Sequence, residues 1–434
     1  MAENKLKYVR NFSWIIFEKF CRLCVSFLVA AYVARYLGPG NYGLLSFALS
    51  FTGFFTVFVS LGLDGIIARN LVRDPTQEDL ILGTAFWLRI IGSIAGFSLV
   101  FGALTFTKYD SQTNVLIMVL AAAMLFQPFG ILESLFQSRV AARYTTFANL
   151  WTMGTMSSLR LLLVAMKSTV TAFAVALVVE KIILGGALYV FYRRAGRQGG
   201  KWRFSLPLAK ELLSDSWPLI FSGLVVMLYM RIDQVMIKEM LDNESLGYYS
   251  AAVYLAEGWY FLGMAASSSL FPAIVKAREI SEELYYDRLQ RFYRLMAWLA
   301  ICVALPVHFL ADHLIYLLYG AAFQPAAEVL KINIWSGVFV FLGVASSSWL
   351  VTENLQRISL IRSIVGAFLN IVLNLLLIPR YGIVGSAWAT LVAQAFASYI
   401  AYAFTKITRR TFIMQTKAFL PPLAEIRRLS WFKK

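Results

Sequence analysis

VSFLVAAYVARYLGPGNYGLLSFALSFTGFFTVFVS, residues 25–60, decides the fold. Two apolar runs flank a turn made of Gly38, Pro39, Gly40, Asn41 and Gly43, and Arg35 is the only charge in the stretch. Glycine and proline punctuate a turn. An apolar run of about 20 residues matches the hydrocarbon thickness of a bilayer when helical. Working outward, the same alternation predicts spans at roughly 13–36, 42–62, 80–106, 115–137, 147–166, 170–192, 213–238, 247–272, 294–318, 327–350, 358–378 and 383–405. The expected fold is all-α and integral to a membrane: about twelve transmembrane helices in two six-helix lobes, a parallel pseudo-repeat around a central cavity.

Composition agrees. The 434 residues are 59% hydrophobic and 15% charged, with a mean hydropathy of +0.66, whereas a soluble chain carries about 25% charged residues. The net charge of +16 does not indicate nucleic-acid binding, because the charge sits in short gaps between apolar blocks. Cys21, Cys24 and Cys302 all lie inside apolar blocks, which excludes a disulfide-stapled secreted fold. Residues 1–12 are charged and the following apolar block is too long for a signal peptide, so this block is expected to remain as the first helix.

Of the 40 Lys and Arg, 28 fall on one side if the N-terminus is cytoplasmic, 5 fall on the other, and the remaining 7 lie within spans. This asymmetry predicts a multi-pass protein of the bacterial cytoplasmic (inner) membrane with both termini cytoplasmic. The domain reading is a six-helix lobe at 1–192, a basic cytoplasmic linker at 193–212, a second lobe at 213–405 and a basic tail at 406–434. The tail breaks at Pro421-Pro422, and its Leu, Ile and Trp among Arg over 423–432 predict an interfacial helix held by anionic lipid.

The halves echo one another. Residues 42–48 (YGLLSFA) align with 246–252 (LGYYSAA) at an offset of 204, and Arg139–Arg143 aligns with Glu353–Arg357 at 214. With six spans per half, both copies point the same way, which is the parallel class of transporter repeat.

Several motifs mislead. Gly38-Pro39-Gly40-Asn41-Tyr42-Gly43 spells a dinucleotide fingerprint but lacks the strand before it. Gly200-Lys201 lacks the rest of a phosphate-binding loop, so no cofactor is expected. Cys21 and Cys24 make C-x-x-C at lipid depth, where small-residue packing explains them. His308 and His313 are five apart and do not share a metal. Gly92 and Gly96 form G-x-x-x-G, the pattern of close helix packing.

Ionisable residues at membrane depth carry the functional signal, since each costs at least about 2.5 kcal/mol there unless it meets water or a partner. The basic set is Lys19, Arg22, Arg89, Arg160, Lys181, Arg231 and Lys331; the acidic set is Glu18, Glu133, Glu180, Asp233 and Glu257. Glu18 and Arg22 have helical i, i+4 spacing and can neutralise one another, and Lys19 and Lys331 are near enough to an edge to snorkel. The remaining excess predicts a hydrated cavity with a positive lining of Arg22, Arg89, Lys181, Arg160 and Arg231. Such a cavity suits an anion, and the guanidinium fork suits a diphosphate. Asp233 and Glu257 are candidate sites for a coupling ion, with structural ion pairing as the alternative.

These residues carry a family likeness. Ala34-Arg35-Tyr36-Leu37-Gly38-Pro39 with Tyr42-Gly43 resembles the first turn of bacterial polysaccharide transporters, the O-antigen flippase branch of the multidrug/oligosaccharidyl-lipid/polysaccharide (MOP) exporter superfamily. Trp217-Pro218-Leu219, Arg231-Ile232-Asp233 and 246–252 are similar to that family's helix seven and eight pattern. Asn370–Asn374 with Ile378–Ala387 is similar to its helix eleven to twelve stretch. The resemblance implies a flippase, not an enzyme. It would move an undecaprenyl-diphosphate-linked oligosaccharide between leaflets by alternating access, for O-antigen, capsule or exopolysaccharide synthesis. Implied partners are that lipid-linked glycan, membrane lipid, H+ or Na+ as a coupling ion, and polysaccharide polymerase and chain-length proteins. The alternatives are a drug or cation antiporter or a peptidoglycan-precursor flippase of the same fold, and a membrane polysaccharide polymerase or ligase. A drug-cation exporter needs an anionic cavity; a polymerase or ligase usually carries a large outer loop, and the gaps at 107–114 and 319–326 are short.

Overall fold

The structure, a computed structural model, describes residues 2–194 and 202–420, with side chains described at Trp14, Glu18 and Cys21 and from Val25 onward within those ranges. Every regular element among the described residues is helical. Nine helical stretches among them are long and apolar enough to cross a membrane. Two of these are double crossings. Gly38 (φ 72, ψ 167) breaks Ala2–Ser60 into 2–37 and 39–60, and Gly382 (φ 57, ψ −140) breaks Gln356–Ser398 into 356–381 and 383–398. A Cβ at either glycine would touch nothing within 4 Å, so it is the left-handed backbone, not space, that demands glycine. A further helix, Ala142–Ala165, has 24 residues and reaches about 36 Å.

Twelve described segments thus match the twelve expected spans. We number them one to twelve: 2–37, 39–60, Glu78–Phe106, Ser111–Ser138, Ala142–Ala165, Val170–Arg194, Leu206–Met240, Asn243–Arg278, Glu282–Tyr319, Ala326–Thr352, 356–381 and 383–403. Several helices outrun their apolar blocks because caps set their ends. Span nine begins twelve residues early, where the Ser281 hydroxyl accepts the Leu284 N–H at 3.1 Å, and Asp242 accepts the Ser245 N–H at 2.7 Å to start span eight.

Backbone contacts divide the chain into two compact units, Met1–Val235 and Met236–Lys434, with the boundary inside span seven. In the first unit, the apolar cluster of Leu63, Ile67, Leu82, Ile131 and Phe136 is closed by Leu188 and Tyr192. Span three lies close on span two. A Cβ at Gly92 would stand 2.2 Å from the Phe58 carbonyl oxygen, and one at Gly96 would stand 3.2 Å from that of Phe55, as the G-x-x-x-G pattern leads one to expect.

The linker expected at 193–212 is partly visible. Its residues 195–201 lie outside the described residues, but Trp202–Ser205 is tied to span three. The Arg203 N–H donates to the Asp79 carbonyl at 3.2 Å, the Ser205 N–H donates to Thr84 Oγ1 at 3.1 Å, and Trp202 packs on Phe86 at 5.0 Å. Gly83 is the notch: a Cβ there would stand 2.4 Å from the Arg203 oxygen, which is main-chain and cannot swing aside. Gly83→Leu is therefore expected to lift 202–205 off span three and lower stability by about 1–3 kcal/mol, the cost of overpacking. Limited proteolysis checks it, through faster cleavage between Arg194 and Arg203 in the variant.

In the second unit, Trp259 stacks on Phe341 at 4.7 Å and leaves no room for a Cβ at Gly337. The described part of the tail forms the helix Arg409–Ala418. It docks by a polar key, with buried Gln415 Nε2 donating to Ser346 Oγ at 2.7 Å and to the Ser398 carbonyl at 3.2 Å. Arg410 stacks over Tyr286 at 3.2 Å. The interfacial helix expected at 423–432, with the break at Pro421-Pro422, lies outside the described residues.

Spans four and ten end in the same backbone turn, the helix stop that also closes span five at Met166, Lys167 and Ser168. The turn after span four is made by Arg139 N–H to Leu135 O, Val140 N–H to Gln137 O and Ala141 N–H to Phe136 O. The turn after span ten is made by Glu353 N–H to Trp349 O, Asn354 N–H to Val351 O and Leu355 N–H to Leu350 O. Each partner is displaced by 214, the offset at which the two sequences align. Both turns pivot on a left-handed residue, Val140 (φ 53) and Asn354 (φ 59). Charges are swapped: Arg139 pairs with buried Glu78 at the start of span three, whereas Glu353 pairs with Arg278 at 2.9 Å and accepts the Tyr285 hydroxyl at 3.1 Å.

Candidate anion site

The seven site candidates do not share one environment. Lys181 stands near the middle of span six, is half-buried, and has no hydrogen bond or ion pair among the described residues. Its neighbour Glu180 points elsewhere and pairs with Arg160 of span five, the side chains being 31% and 18% exposed. Adjacent residues on a helix diverge by about 100°, so one short segment presents a neutralised pair and a free ammonium.

Arg89 is held differently. Its side chain is 5% exposed and its guanidinium pairs with the Asp64 carboxylate, which is 64% exposed. The Ser93 hydroxyl donates to its carbonyl at 2.7 Å, and Gly130 clears its other side, since a Cβ there would stand 3.6 Å from Nη1. Asp64 opens the short helix Asp64–Arg73, in a gap that hydropathy treats as loop. Arg22 falls in span one, but its side chain lies outside the described residues, so it is placed by backbone alone.

Asp233 is buried in span seven and accepts the N–H of Gln234 at 2.7 Å. Gln234 in turn accepts the Ser50 hydroxyl at 2.6 Å, fastening span seven to span two inside the first unit. Arg231 is half-buried two residues before Asp233. Glu257 ends the helix Asn243–Glu257, where span eight breaks at 258–260. All three of these ionisable groups have partners of their own.

Two features were not singled out from sequence. Arg362, inside the expected span 358–378, is buried near the start of span eleven. It donates to the Ala397 carbonyl at 2.7 Å and lies 4.2 Å over the Tyr402 ring. A cation at the carboxyl end of a helix meets the negative end of its dipole, so its charge serves span twelve. The second is a buried polar cluster of Tyr249, Thr390, Asn370 and Asn374. Tyr249 and Thr390 hydroxyls lie 3.2 Å apart, and Asn374 Nδ2 donates to Asn370 Oδ1 at 3.0 Å. The asparagines belong to the quoted family stretch, and their spacing of four is the available signal. Lys331, set aside as snorkelling, pairs with both Asp312 at 2.9 Å and Glu328 at 2.8 Å. His308 meets the Lys331 carbonyl at 2.9 Å.

Comparison with known proteins identifies the family and the fold. The family described as "Polysaccharide biosynthesis protein" matches residues 8–278, and the MatE family matches 218–376. The chain is 20% identical over 409 residues to the capsular polysaccharide biosynthesis protein CapF of Staphylococcus aureus, covering 92% of this chain and 99% of that one. Its fold is similar to an inward-facing multidrug resistance MATE family transporter of the MOP superfamily (TM-score 0.72, 14% identity, 91% and 96% of the two chains). It is also similar to the inward closed lipid II flippase MurJ (TM-score 0.71, 15% identity, 96% and 92%). Twelve helical crossings, the parallel pseudo-repeat and the family match over more than half its length together place this multi-pass membrane chain in the polysaccharide biosynthesis protein family of the MOP exporter superfamily.

Proposed function

We propose that the chain is a flippase that carries an undecaprenyl-diphosphate-linked oligosaccharide from the inner to the outer leaflet of the cytoplasmic membrane by alternating access. The observation that carries this is Lys181, an ammonium at mid-span with no partner among the described residues, next in sequence to the Glu180 that pairs with Arg160. A lone cation in an apolar helix has a cost that an anionic substrate relieves. Lys181 and Arg160 are the first diphosphate contacts; Arg22, Arg89 and Arg231 complete the positive set, with Arg89 held back by Asp64. The capsular polysaccharide relative and the lipid II flippase of similar fold support a lipid-linked glycan as the substrate class.

The chemistry suits the cargo. A sugar diphosphate cannot enter hydrocarbon unaided, whereas its polyprenyl tail stays in lipid. Fixed cations replace water around the phosphates, and export of negative charge from a negative interior gains about 2.3 kcal/mol per charge per 100 mV. Asp233 and Glu257 remain the coupling candidates for H+ or Na+, and polymerase and chain-length proteins the partners downstream. The working organisation keeps lobes at 1–192 and 213–405, the linker at 193–212 and both termini cytoplasmic. Cationic excess favours this over a drug or cation antiporter.

Deleting the gene tests it. Loss of surface glycan with single lipid-linked repeat units accumulating in membranes is expected. Units that reach the outer leaflet and fail to be lengthened would instead establish a polymerase or ligase.

A further inference from the structure

We infer that Glu180 is a built-in stand-in for the substrate's phosphate: it occupies Arg160 while the site is empty and is displaced when the anion arrives. This rests on the anion-site assignment above. The cations inside spans of the first unit that bear on this are Arg89, Arg160 and Lys181, and their states differ. Arg89 is buried and paired with Asp64, whose own side chain is 64% exposed. Lys181 has no counter-charge among the described residues. Arg160 has one, but the pair is open, with 18% and 31% of the two side chains exposed. An accessible carboxylate on a cation competes with any phosphate that approaches the same guanidinium, because both present oxygen lone pairs to one fork of N–H donors.

Such competition serves a carrier that must return empty. Two uncompensated cations inside the spans would oppose the empty conformational change, whereas Glu180 cancels one of them. When the substrate leaves, Glu180 reclaims Arg160 and prevents rebinding. Glu180 therefore weakens the bound ground state and speeds release, as an interaction that trades affinity for turnover should. It is a positioning residue, since it touches Arg160 and not the cargo.

The test uses the purified full-length chain in lipid nanodiscs with undecaprenyl diphosphate as the binding probe. The same chain in proteoliposomes gives the rate of flipping of a fluorescent undecaprenyl-diphosphate-linked sugar. Glu180→Gln keeps the shape and removes the charge. It is expected to tighten probe binding by about fivefold, the size of a partly exposed ion pair, while flipping at saturating substrate slows, so KM and kcat fall together. Glu180→Asp, with a shorter reach to Arg160, covers the case in which the first variant fails to fold and should tighten binding by a smaller factor. Folded Glu180→Gln, or failing it Glu180→Asp, that binds the probe as the wild type does or more weakly overturns the inference while leaving the anion site standing. Failure of the wild type to bind the probe at all overturns both.

Discussion

A deletion strain carrying Lys181→Ala is expected to display no more surface glycan than the strain without the gene, with the variant present in the membrane at wild-type amount. Lys181 has no partner among the described residues, so its removal strands nothing and spares the insertion cost of a mid-span lysine, about 2.5–3.5 kcal/mol. What is lost is a charge-assisted bond to the cargo, worth about 1.5–3 kcal/mol, at the one described mid-span cation of the first unit that needs no prior separation from a carboxylate. Lys181→Arg retains the charge and should restore part of the export. Immunoblotting of membranes beside lectin staining of cells reads both quantities. Wild-type staining in the alanine variant would remove Lys181 from the site.

The second large effect is on folding. Asp64→Ala leaves the Arg89 guanidinium, whose side chain is 5% exposed, without its counter-ion. Breaking a buried pair from the exposed side is costly, on the order of 3–5 kcal/mol, because the charge that remains cannot be hydrated. Arg89→Met is expected to cost less, since the carboxylate it releases is 64% exposed and meets water. The double variant should recover most of what Asp64→Ala loses, which a double-mutant cycle on thermal stability in detergent measures. Equal losses from the two single variants would contradict a one-sided burial of the pair. This asymmetry also separates Arg89 from Lys181: substitution at 181 is expected to touch export alone, whereas the Arg89 pair also carries stability.

The spans were legible because an apolar block of bilayer length admits one economical structure, a helix with its backbone satisfied internally. Their ends were less so, since Ser281 and Asp242 extend helices by capping, which hydropathy does not register. The repeat was legible as a 214-residue offset, but the pivot at Val140 was not, because a β-branched residue gives no sign of left-handed backbone. Arg160 and Glu180 were each visible as charges inside apolar spans, but their pairing crosses from span five to span six and depends on helix rotation. Asp64 was invisible as a partner because it lies in a gap, and the burial of Arg362 was not legible because position in a charge tally says nothing of burial.

The most direct measurement is leaflet-resolved flipping by the purified chain. Proteoliposomes loaded with a fluorescent undecaprenyl-diphosphate-linked oligosaccharide, with an impermeant quencher or glycosidase added outside, report how fast lipid on the inner leaflet becomes accessible. Wild-type chain should expose the inner-leaflet fraction far faster than empty liposomes, and Lys181→Ala should not exceed them. Accessibility that rises no faster with the wild-type chain than without it, across imposed proton, sodium and electrical gradients, would contradict the flippase.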